Sequence, residues 1–127
     1  DSNVDNHVIL HEYAHGITYR LIGGALSGNC FQGVERMDEG YSDWYGLLLT
    51  INENDQGTNP KGYAAYYLNQ GINGAGFRQY PYTTNMDLNP LVYDNIPEYS
   101  SEINWIWASV LWEMTWNLIN QFGYDDD

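Results

Sequence analysis

Val4-Asp5-Asn6-His7-Val8-Ile9-Leu10-His11-Glu12-Tyr13-Ala14-His15-Gly16-Ile17-Thr18-Tyr19-Arg20-Leu21 places Val8, Ile9, Tyr13, Ile17 and Leu21 at helical spacing. That periodicity predicts a helix over 4–21, preceded by the capping residue types Asp1, Ser2 and Asn3 and ended by Gly23-Gly24. Inside it lies His11-Glu12-Tyr13-Ala14-His15, an H-E-x-x-H sequence. Residues four apart stand one above the other on a helix face. Both imidazoles can therefore reach one zinc ion at roughly 2.0–2.1 Å, while the neighbouring carboxylate stays outside the coordination shell. Glu12 is then the expected general base, taking a proton from a water whose pKa the metal lowers toward about 7. The motif also arises by chance, so its place on a helix is what gives it meaning.

A catalytic zinc takes a third protein ligand and keeps one position open. No His follows the helix, but Asp38-Glu39-Gly40-Tyr41-Ser42-Asp43 sets two acids four apart at the start of a second predicted helix, residues 37–51. Glu39 is the natural third ligand. Asp43, one turn on, could accept the free ring N–H of His11 or His15 and fix the tautomer that leaves a lone pair for the metal. The bland alternative for both is a solvated acid favoured by the helix dipole. His7 sits one turn before His11 and reads as a water-exposed histidine at the helix start, since a fourth protein ligand would close the open position.

Further along, residues 52–60 are rich in turn formers, and 62–69, rich in Ala and Tyr, predicts a short third helix. Residues 71–100 lose periodicity and predict a long loop that wraps around neighbouring parts. Residues 102–122 carry apolar side chains on nearly every side, which predicts a helix buried all round, its Trp residues packing in the core. The fold class expected is mainly α with long irregular loops. With 127 residues and no internal repeat or linker, one unit spanning 1–127 is expected. The two ends of the segment read as cut from a larger protein.

Seventeen acids against four bases give a formal net charge of -13, which repels phosphates and anionic surfaces and excludes nucleic acid and membrane as partners. Acidic, Asn-rich and Gly-rich composition suits calcium recruitment. Yet Asn52-Glu53-Asn54-Asp55-Gln56-Gly57 lacks the spacing and final Glu of a calcium loop and reads as a turn, so calcium stays unsupported. The Asp125-Asp126-Asp127 tail reads as solvated. Cys30 alone says nothing about compartment and has no partner that would make it a nucleophile.

His11-Glu12-Tyr13-Ala14-His15-Gly16 followed by Met37-Asp38-Glu39-Gly40-Tyr41-Ser42-Asp43-Trp44 resembles the fungalysin family of secreted metallopeptidases, which belong with the thermolysin-like zincins. Arg20-Leu21-Ile22-Gly23-Gly24 and the run from Trp107 to Trp116 are similar as well. The resemblance implies the helical C-terminal-type subdomain of such an enzyme, a zinc endopeptidase acting on proteins or peptides with an apolar residue after the scissile bond. It implies secretion, a pro-segment, and an upstream β-rich lobe that completes the substrate groove. On this chain it implies His11, His15 and Glu39 as ligands, Glu12 as base and Asp43 behind them. The family also carries a Glu-x-His segment whose His bonds the transition-state oxyanion. Here that segment reads Glu102-Ile103-Asn104, so Asn104 stands where the His would be; its amide can donate but cannot carry a charge. Losing one such donor typically costs roughly 10²–10³ in turnover, so a zinc-bearing but silent domain is the alternative reading.

Overall fold

The computed structural model describes residues 2–24, 26, 37–71, 73–96 and 101–125. Among these, three α-helices carry the fold: α1 (Asn6–Ile22), α2 (Asp38–Leu48) and α3 (Glu102–Phe122), with short 3-10 turns at Ser2–Val4 and Tyr93–Asn95. No strand is present among the described residues; pairing is limited to isolated bridges, Lys61 with Tyr82 and Tyr63 with Gly76. The mainly α expectation holds. None of the described helices is long and apolar enough to cross a membrane.

α1 begins later than the sequence suggested, because its cap is Asp5 and not one of the three leading residues. Asp5 accepts from the His7 and Val8 amides at 2.9 and 3.4 Å. Its second oxygen accepts from the Tyr67 amide at 2.9 Å, so the buried cap also ties α1 to the chain 62 residues on. α2 lies between the other two helices and packs against both. Two glycines permit this. A Cβ on Gly46 would come within 3.2 Å of the His7 carbonyl oxygen on α1, and one on Gly40 would overlap the Asn104 carbonyl on α3. Both obstacles are backbone, which cannot swing aside. Gly40→Ala is accordingly expected to lower stability by about 1–3 kcal/mol, the usual range for overpacking, measured by urea unfolding of the complete protein.

The core joins Leu47, Tyr63, Ala64, Tyr82, Ala108, Trp112 and Trp116. Trp112 and Trp116 meet edge to face with ring centroids 5.6 Å apart. α3 matches its predicted bounds, but the expectation that it is buried all round is corrected. Val110, Met114, Leu118 and Phe122 recur every four residues on one exposed stripe, while Ile106, Ala108, Leu111, Trp112 and Trp116 face inward.

The predicted helix at 62–69 is a second correction. This segment is a series of turns, with Ala64 and Asn69 at φ 58° and 54°, a conformation no right-handed helix accommodates. Its flanking backbone is committed elsewhere: Lys61 and Tyr82 exchange hydrogen bonds at 2.9 and 2.8 Å, and the Phe77 amide donates to the Tyr63 carbonyl at 3.0 Å. The loop that follows wraps back as expected. Thr84 donates to Gly57 at 2.8 Å, and Asn89 reaches Ser109 on α3 at 3.4 Å. The Asn52–Gly57 run is a turn, closed by Asp55, which also holds Lys61 Nζ at 2.5 Å. Cys30, Asp126 and Asp127 lie outside the described residues.

Candidate metal centre

Helix α1 presents His11 and His15 on one face, their rings edge to face with centroids 4.7 Å apart. Their Nε2 atoms are 3.1 Å apart. Glu39, in the first turn of α2, brings Oε2 to 3.2 Å from His11 Nε2 and Oε1 to 3.5 Å from His15 Nε2. These three residues form a group whose ligand atoms all lie within 4.8 Å of one another. Ligands bound at roughly 2.0–2.1 Å to a tetrahedral ion stand about 3.3 Å from each other, and the observed spacings fall around that value. The donor set of two imidazoles and one carboxylate fits zinc with a position left over.

Behind this group lies a charged network that the sequence showed only in part. Asp43 is fully buried. Its Oδ1 is 2.8 Å from His11 Nδ1, close enough for charge pairing. Arg78 grips the same carboxylate with both prongs, Nη2 to Oδ1 at 2.7 Å and Nε to Oδ2 at 2.6 Å. The Tyr82 hydroxyl donates to Oδ2 at 2.5 Å. Arg78 also lies 3.6 Å from Glu39 and covers the Tyr63 ring at 4.8 Å, while the Tyr63 ring sits 4.9 Å from that of His11. Arg78, Tyr82 and Tyr63 were missed by sequence reasoning. The available signal was that Arg78 is one of only four basic residues in a chain of net charge -13, stranded in a long loop.

The electrostatics follow from these contacts. Burial opposes a charged His11 ring, but the Asp43 and Glu39 carboxylates overcome it and raise its pKa to about 9 in the metal-free protein. Contact with His11 holds Glu39 below its ordinary value against its partial burial. Burial pushes the Asp43 carboxyl up, and His11 with Arg78 outweighs that and holds it down. Burial, then Asp43, raises the Tyr63 phenol, with Glu12 and Glu39 adding to the effect, so its ring lies within the field of the Glu12 carboxylate.

Glu12 itself is exposed, next to His11 on α1. His7 is not exposed to water as expected. It is half-buried, its Nε2 3.0 Å from the Thr50 hydroxyl, and it stands outside the three-residue group. Asn104 is buried between α2 and α3, its Oδ1 accepting from the Gly40 amide at 3.4 Å and its Nδ2 donating to the Ser101 carbonyl at 3.3 Å. The structure therefore brings His11, His15, Glu39 and Asp43 together and places Asn104 against the backbone of Gly40, the residue after Glu39, in a helix contact.

A sequence model of the Fungalysin metallopeptidase (M36) family matches residues 1–127. The chain belongs to this family. Among curated fungalysin relatives, the chain is 37% identical over 133 residues to the extracellular metalloproteinase of Pyrenophora tritici-repentis (strain Pt-1C-BFP), covering 100% of this chain and 20% of that protein. It is 36% identical over 132 residues to extracellular metalloproteinase 5 of Trichophyton rubrum, with 99% and 20% covered. The chain thus spans about a fifth of the length of the fungalysin relatives it matches.

Proposed function

We propose that this chain is the zinc-binding catalytic core of a secreted metalloendopeptidase that hydrolyses peptide bonds in proteins, residues 1–127 forming one unit of it. The observation that carries the reading is the arrangement of His11, His15 and Glu39, three donors at tetrahedral spacings with exposed Glu12 beside them. Zinc, when bound there, would acidify a water and polarise a carbonyl. Glu12 would take the proton from the attacking water and later hand it to the leaving amine, a step that needs a carboxylate open to the cleft. Asp43 would orient His11 and hold Arg78. The names of the relatives support secretion and metal-dependent proteolysis, and their fivefold greater length supports a larger parent protein, while an upstream lobe that completes the groove rests on the family resemblance. The pro-segment rests on the family resemblance alone.

One observation favours a second reading, a zinc-bearing domain without catalytic activity. Asn104 is buried, its Oδ1 held by the Gly40 amide across the helix contact and one Nδ2 proton by the Ser101 carbonyl of its own helix cap, which favours a structural role for its amide over that of an oxyanion donor. Metal analysis and digestion of an unstructured protein substrate by the complete protein distinguish the two. One zinc per molecule, with cleavage that a chelator abolishes and added zinc restores, is the expected result. Full zinc occupancy without cleavage would support the silent domain. Absence of zinc would overturn the assignment of the three ligands.

A further inference from the structure

We propose that Asp38 is a positioning residue for His15, its Oδ1 accepting the Nδ1 proton through one bridging water when Nε2 faces the metal. The proposal rests on the zinc reading above. It starts from two buried atoms that lack a hydrogen-bond partner, His15 Nδ1 and Asp38 Oδ1. If Nε2 is the nitrogen turned to the ion, the neutral ring must carry its proton on Nδ1, which makes that atom a donor. The two residues form no ion pair, so a buried donor and a buried acceptor left unpaired in one region call for a shared water.

Tyr19 supplies the spatial link. It follows His15 by one helical turn, and its ring is stacked on the imidazole, 6.0 Å between centroids and 17° between planes. Its hydroxyl donates to Asp38 Oδ2 at 3.0 Å. One oxygen of the carboxylate is thereby held against the residue that stacks on His15, and the other is left unused. Two other acceptors among the described residues can be set aside. Glu39 approaches His15 at Nε2 and not at Nδ1. The other orphaned oxygen nearby in sequence, Ser42 Oγ, stands one turn beyond Asp38 with no such link to His15. With Asp43 behind His11, Asp38 behind His15 would give each imidazole its own carboxylate, both from α2.

Zinc dissociation constants of the complete protein, measured by competition with a chelator, test this. Asp38→Ala should weaken zinc binding about 10–100-fold, the usual effect of removing the partner of a ligating His. Asp38→Asn, which keeps an acceptor oxygen, should stay near wild type, a rescue that a purely structural role for the charge would not show. Tyr19→Phe should fall between them. It gives an independent reading if Asp38→Ala does not fold. Ser42→Ala should bind zinc as wild type does. Unchanged affinity in Asp38→Ala or Tyr19→Phe overturns the proposal, as does loss in Asp38→Asn equal to that in Asp38→Ala, or loss confined to Ser42→Ala. A wild-type protein that takes up no zinc would instead sink the metal-site reading itself, and this inference with it.

Discussion

Glu12→Gln in the complete protein is expected to slow peptide hydrolysis by about 10²–10⁴-fold while one zinc per molecule stays bound. The carboxamide matches the carboxylate in size and helix preference, so α1 and its two ligand histidines should keep their places. What it loses is basicity, because an amide cannot take a proton from the attacking water. Glu12 is exposed and stands outside the three-residue group, so the ligand set does not depend on it. Metal content and turnover measured on the same preparation separate the two effects. Turnover near the wild-type rate would remove Glu12 from the mechanism, and loss of zinc together with turnover would make it part of the metal site instead.

The parts of the site that could be read from sequence are those written locally. His11 and His15, and Glu39 and Asp43, are pairs four apart on two helices, and helical geometry alone puts each pair on one face. α3 was legible because apolar residues recur along its whole length. Residues 62–69 were misread because their Ala and Tyr content describes local preference. Their conformation is set by pairing with residues 76–82, which sequence proximity does not show. The role of Arg78 was missed for a similar reason, since it meets Asp43 from 35 residues further along the chain. The exposed stripe of α3 shows the limit of composition: an apolar run says that a helix packs, and not how much of its circumference does.

Asp43→Ala should have the largest effect on stability of any single change at the site, about 3–5 kcal/mol, the cost of breaking a buried ion pair from one side. Three groups lose their partner at once. The Arg78 guanidinium, its side chain only 15% exposed, would be left without its bidentate acceptor, Tyr82 would bury a hydroxyl with nothing to donate to, and His11 would lose the carboxylate beside Nδ1. Zinc affinity should drop about 10–100-fold as well, because His11 would no longer be held in orientation. The pH dependence gives a signature. The native Asp43 carboxyl titrates below its ordinary 3.8, so its stabilisation is complete above that value and is lost as pH falls through the lower native one. In metal-free protein the contribution of charged His11 is complete below 6.5 and is lost as pH rises through about 9. The stability gap between wild type and Asp43→Ala, read from urea unfolding without metal, should therefore be widest between about pH 4 and 6.5 and narrow on both sides. A gap under about 1 kcal/mol at pH 6, the scale of an exposed ion pair, would mean that Asp43 is replaceable by solvent and that the network behind His11 does not hold the site.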